Sequence, residues 1–164
     1  MVEPAEQLVD VLHAVLDCYQ RLGVIASQRR GAMATLNVAL LQDLLRQEEH
    51  QVGRLADLDA RRAQLLVEIN AALGCQHAAN VTAIAAAAKE PLKTRLLALA
   101  AQVRSAAAHW TSQTSINQRI ANAANRGFDA VLRIISGAGR QAGLYRANGR
   151  HVQNAGGSGF EALA

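Results

Sequence analysis

Apolar residues spaced three and four apart, sustained over three long stretches, leave this chain little choice but to fold as helices. The first stretch runs through Leu8, Val11, Leu12, Val15, Cys18, Tyr19, Leu22, Ile25 and Ala26. The second carries Leu41, Leu44, Leu45, Val52, Leu55, Leu58, Leu65, Leu66, Ile69 and Leu73. The third opens at Pro91, whose fixed φ suits a first helical turn, and reaches Ser136, with Leu92, Leu96, Leu97, Leu99, Val103 and Trp110 as its inward residues. Composition agrees: 51% of residues are hydrophobic, yet only 3% are aromatic and Pro numbers 2, so helix formers abound and strand formers are scarce. The fold class read from the sequence is all-α.

Local signals divide these stretches. The pattern fades through Gln28, Arg29, Arg30 and Gly31, where a turn or kink is expected, and Thr35 or Asn37 can cap the second helix by accepting from an unpaired amide of its first turn. Gly74 suits the left-handed residue after a helix end, residues 75–79 connect, and Asn80 caps a short helix over residues 81–88. Asp17 with Arg21, Asp57 with Arg61 and Asp59 with Arg62 predict ion pairs along exposed flanks. Long amphipathic helices joined by short breaks can bury their stripes only against one another, and 164 residues suffice for one domain. The expectation is an antiparallel bundle of three long helices plus a short connecting helix, spanning residues 1–138. Gly139, Gly143, Gly149, Gly156, Gly157 and Gly159 then predict a flexible, glycine-rich, basic tail over residues 139–164, with no long regular structure after Ser136.

Residues 115–135 read SINQRIANAANRGFDAVLRII. Asn122, Asn125 and Phe128 follow at intervals of three, and Val131, Leu132 and Ile135 continue the stripe. An ordinary core-facing stripe carries Leu, Ile and Val throughout, so this one predicts polar contacts in its first half and an adhesive surface in its second. Asn122 and Asn125 fit either interhelical hydrogen bonds or a clasp on a partner's backbone. Trp110 fits either a core anchor with a satisfied N–H or the edge of a partner groove. Gly127 costs roughly 1 kcal/mol relative to Ala inside a helix, which marks close packing, a bend, or a segment ordered by a partner. Tyr145 belongs either to a loose tail or to an anchor that orders on binding, and Leu144, Val152, Phe160 and Leu163 share that ambiguity.

Charge and chemistry narrow the function. The net charge is +4, but residues 1–100 hold 10 Lys+Arg against 11 Asp+Glu, whereas residues 101–164 hold 7 against 2. The basic half is the carboxyl-terminal one, and its arginines, Arg104, Arg119, Arg126, Arg133, Arg140, Arg146 and Arg150, are spread as on a solvated helix face rather than clustered to track phosphates. Nucleic acid is therefore not an expected partner. Cys18 and Cys75 lie far apart with no signal peptide before them, which predicts free thiols in a reducing cytoplasm. The longest uncharged stretch, residues 69–88, contains Asn70, Gly74, Gln76, His77 and Asn80, so stable membrane insertion is not expected. His13, His50, His77, His109 and His151 lack the repeated Glu-x-x-His of a di-iron bundle, and Glu48, Glu49 and His50 are consecutive, which suits solvated surface. No phosphate-cradling loop links a strand to a helix. The reading is a protein that is not an enzyme and takes no cofactor or metal.

The Asn-x-x-Asn-x-x-Phe helix at Asn122, Asn125 and Phe128, followed by Tyr145-x-x-x-Gly149 within LYRANGR, resembles the carboxyl-terminal half of FlgN-type flagellar export chaperones. The order of a long helix, a break, a second long helix, a short helix, a third long helix and a tail is similar as well. The resemblance implies a cytoplasmic chaperone of type III export. Such a protein holds hook-associated proteins of the hook-filament junction, prevents their premature assembly and delivers them to the export gate. It implies Asn122, Asn125, Phe128, Val131, Leu132, Ile135, Tyr145 and Gly149 as the partner-binding residues, and leaves a homodimer open. The competing reading is a self-associating helical-bundle or coiled-coil adaptor, which would form a stable oligomer.

Overall fold

The computed structural model describes residues 2–73 and 80–142. Four helices follow in order, α1 (Val2–Ala34), α2 (Val38–Leu73), α3 (Val81–Ala87) and α4 (Leu92–Ala142), and no strand occurs among the described residues. The all-α class is as the periodicity predicts. The chain divides into two compact units, Met1–Arg119 and Ile120–Ala164, and α4 supplies residues to both. Gly74, Cys75 and residues 143–164 lie outside the described residues.

The first unit is built on α1. Leu8, Val9 and Leu12 are buried with Leu65 and Ile69 of α2, Val81, Ile84 and Ala85 of α3, and Leu96, Leu99 and Ala100 of α4. Further along, Val15, Cys18 and Leu22 meet Leu55, with Tyr19, Leu58, Val103 and Trp110 packed around them. Ile25 and Ala32 then meet Leu44. As α1 ascends, its α2 partners descend from Ile69 to Leu44, whereas its α4 partners ascend from Leu96 to Trp110. Polar contacts follow the same orders: Glu6 with Arg95 and Arg30 with Gln113 on one side, Gln7 with Arg61 and Arg29 with Glu48 on the other. At Gly23 of α1 an added Cβ would stand 3.2 Å from the His109 ring of α4.

Most of the predicted stripe is inside, and the exceptions follow from helical phase. Leu45, Val52 and Leu97 are exposed because each sits about 100° around the helix from a buried neighbour, Leu44, Gln51 with its covered side-chain oxygen, or Leu96. Only one residue of each such pair can face the core. Arg21 pairs with Asp17 at 3.0 Å and Arg62 with Asp59 at 3.1 Å, as expected, but Arg61 reaches Gln7 at 2.8 Å and Glu68 at 3.8 Å rather than Asp57. These are exposed pairs that contribute little.

The turn expected at residues 28–31 falls later. α1 passes through those residues unbroken because Arg29 pairs with Glu48 and Arg30 bonds Gln113 and Asn117, so a run that reads as a turn is held in the helix by specific partners. Glu48 is accordingly half-buried in an ion pair, not free surface, while Glu49 and His50 are exposed. The reversal comes at residues 35–37. Leu36 takes a φ of 52°, a left-handed conformation costly for a branched side chain, and Asn37 donates its N–H to the Ala32 carbonyl at 2.9 Å. Asn37 Oδ1 then accepts from Leu40 N–H at 3.0 Å and caps α2, while Asn80 Oδ1 does the same for Ala83 and α3 at 2.8 Å. At the start of α4, Glu90 Oε2 accepts from the Thr94 hydroxyl at 2.7 Å.

Cys18 is a buried free thiol. Burial pushes it above its ordinary 9.0, against the opposing pull of Arg54, and burial likewise raises Tyr19 above 10.0, helped by Asp59. Both groups hold their protons more tightly folded than unfolded. The stability they carry is full at neutral pH and is lost as pH climbs above about 9 and through the raised values. Urea unfolding is expected to show that loss, with a shallower alkaline decline in Cys18→Ala.

Candidate functional site

The second unit begins at Ile120, and its described part is the stretch of α4 from there to Ala142. The helix continues through Gly137 and Gly139, six residues past Ser136, because two isolated glycines weaken a helix by about 1 kcal/mol each without removing a backbone donor. Ser136 Oγ donates to the Arg133 carbonyl at 3.1 Å and Arg133 Nε to the Asp129 carbonyl at 3.3 Å, so the local polar groups bond to their own helix.

At about 100° per residue, Phe128, Val131, Leu132 and Ile135 fall within an arc of about 100°, and Ile134 widens it to about 160°. All five are more than half exposed, at 64%, 52%, 63%, 63% and 69% in that order. Arg126, Asp129 and Arg133 occupy the opposite side, which leaves the apolar face without a charge. Gly127 lies on that face with nothing within 4 Å of an added Cβ, so no contact within the described chain needs the glycine. Gly127→Ala is expected to raise the thermal midpoint, equivalent to about 1 kcal/mol of added helix stability. Differential scanning calorimetry reads it directly.

The amides resolve differently from the apolar residues. Steps of three drift by about 60° each, so Asn122 ends half a turn away from Val131, while Asn125 sits at the edge of the face beside Leu132. Both are exposed, and no interhelical bond to either occurs among the described residues. The buried amide is Asn117, which is 2% exposed. Its Nδ2 donates to the Ala26 carbonyl at 2.7 Å, and its Oδ1 accepts from Arg30 Nε at 3.4 Å, with Gln113 taking the other arm of the same guanidinium. The signal was available: Val103, Trp110 and Asn117 follow at intervals of seven, two full turns, on one inward line.

Trp110 is a core anchor, tilted against Tyr19 with ring centroids 5.9 Å apart. Its N–H is not satisfied, however. Nε1 is buried with no hydrogen-bond partner among the described residues, because the ring's packing against an apolar cluster fixes where the N–H points. Tyr145 and Gly149 lie outside the described residues. Among the described residues no group of three or more His, Cys, Asp or Glu side chains could hold a metal ion, and no helix is long and apolar enough to cross a membrane. Arg104, Arg119, Arg126 and Arg133 are exposed, as a solvated face requires.

A helical fold that presents an uncharged, apolar helix face defines a class of proteins suited to meeting another polypeptide along a helix. Within that class the family is known: residues 1–153 match the FlgN protein family, and the chain belongs to it, a family of flagellar export chaperones. Comparison with curated proteins and with solved structures yields no match.

Proposed function

We propose that this chain is a cytoplasmic chaperone that binds hook-associated proteins of the hook-filament junction, keeps them from assembling early and brings them to the export gate. Family membership supports the general role, and the exposed face of Phe128, Val131, Leu132 and Ile135 carries the particular one. An amphipathic client helix would lay its apolar side along that face, each large side chain contributing on the order of 1.5–3 kcal/mol when fully covered. Asn125, at the edge, can bond a client backbone. Asn122 takes part only with a client that wraps the helix, since it points the other way. Tyr145 and Gly149 would add to that contact. Binding costs of association and ordering offset much of the gain, which suits a complex that must be released.

Phe128→Ala is the direct test. Because Phe128 is exposed, its removal opens no core cavity and urea unfolding of the variant matches the parent. Calorimetric titration with a peptide of a hook-associated protein's carboxyl-terminal helix is expected to weaken by about 1–3 kcal/mol. Undiminished affinity in the folded variant would remove the face from client binding. A concentration-dependent oligomer that dissociates in Phe128→Ala, with no peptide bound by the parent, would favour the self-associating adaptor.

A further inference from the structure

We infer that the α4 face of Phe128, Val131, Leu132, Ile134 and Ile135 receives two client helices packed on each other, not one. The inference rests on the reading of that face as the client site and names the shape of what it takes. Five of the eight residues 128–135 are large, apolar and more than half exposed, with Ile134 at one edge of the face and Leu132 at the other, about 160° apart around the helix. A helix that meets a single partner needs a narrower stripe, about two apolar positions in seven, and carries charged or polar residues at the flanking positions. Here both flanks are apolar. Width sets the number of partners. Packed helix axes stand about 8–10 Å apart, so two partners that touch α4 and each other lie about 60° apart as seen from its axis. One partner aimed between Val131 and Ile135 leaves Leu132 and Ile134 each about 80° off the line of centres, pointing past it. With two partners, each edge residue comes within about 50° of one of them.

The first half of α4 carries the same pattern of positions, filled. Five full helical turns take about 18 residues, and that far before Phe128, Val131, Leu132 and Ile135 in the sequence stand Trp110, Gln113, Thr114 and Asn117. Trp110 packs on a cluster made by two helices, Val15, Cys18 and Leu22 of α1 with Leu55 of α2. Gln113 and Asn117 bond Arg30 of α1, and Thr114 Oγ1 is buried. Within the unit Met1–Arg119, these positions of α4 are thus met by a pair of helices that pack on each other, α1 and α2. Residues 128–135 repeat the positions with apolar side chains that nothing among the described residues covers. The same pattern calls for the same kind of occupant, a second pair of helices. Another copy of the chain does not supply one, because its α1 and α2 already bury their apolar stripes with the first half of its own α4. A client with two amphipathic helices does.

The test titrates the full chain by calorimetry with a full-length hook-associated protein and with a peptide of its carboxyl-terminal helix, in the parent and in Leu132→Ala and Ile134→Ala. Both side chains are exposed, so neither change opens a core cavity and urea unfolding of the variants is expected to match the parent. Each variant is expected to bind the full-length protein about five- to thirtyfold more weakly than the parent does. The peptide, a single helix, is expected to bind the parent about tenfold or more below the whole protein, and to lose affinity in only one of the two variants. Full-length affinity that ignores either edge overturns the proposal, as does a peptide that binds as tightly as the whole protein. A parent whose mass doubles with concentration in sedimentation, and stays single in Ile134→Ala, also overturns it by seating a second copy on the face. The client reading fails separately: undiminished full-length affinity in Phe128→Ala takes the client off the face, whereas a loss there with one silent edge keeps the client and reduces the pair to a single helix.

Discussion

Leu96→Ala is expected to lower the unfolding free energy by about 2–5 kcal/mol, the largest effect of any single truncation considered for this chain. Leu96 is 0% exposed and stands where α1, α2, α3 and α4 meet, among Leu8, Leu12, Leu65, Ile69 and Ile84. The loss combines the transfer of three side-chain carbons' worth of contact with the void left behind, since four helices converging on one point cannot all close on it. Urea unfolding followed by circular dichroism measures it. A loss well under 1 kcal/mol would mean that the four helices do not converge there. Leu97→Ala, one residue on, provides the internal control, because its side chain is exposed.

Asn117→Ala follows, at about 2–4 kcal/mol, from two hydrogen bonds of which one is to a charged group. The amide joins the Ala26 carbonyl to the Arg30 guanidinium, and without it Arg30 keeps Gln113 alone at a part-buried position. Asn122→Ala and Asn125→Ala, both at exposed positions, are expected to stay within about 0.5 kcal/mol of the parent. Thermal unfolding of the three variants side by side separates a structural amide from surface ones. Equal losses at Asn117 and Asn122 would contradict the burial on which the distinction rests.

The pairing of these asparagines shows what was legible in the sequence. Periods of three and four located the helices, and Asn37, Asn80 and Pro91 located their starts, because those signals depend on neighbours in the chain. What depends on a distant partner was less visible. Arg29 and Arg30 read as a turn or kink until Glu48, Gln113 and Asn117 are brought to them, and Glu48 read as surface for the same reason. At the candidate site, Phe128, Val131, Leu132 and Ile135 were legible as one apolar stripe, which the structure leaves exposed. Counting by threes also carried Asn122 along with them, although the drift of a 3.6-residue helix turns it to the far side. Trp110 was legible as a core residue, but not that its N–H finds no partner among the described residues, which follows from ring packing that no spacing encodes.

The continuity of α4 from Leu92 to Ala142 has a kinetic and entropic consequence for whatever meets its second half. A free peptide of residues 120–142 would have to nucleate a helix unaided, with an equilibrium penalty on the order of a thousandfold, about 4 kcal/mol. Here the nucleus already exists in the turns of residues 92–119, fixed by Leu96, Leu99 and Asn117, and each further residue needs only propagation at a cost near zero. The exposed stretch is thus seeded by residues 92–119, and a client binding as proposed would meet a face already wound, without supplying the free energy of winding it.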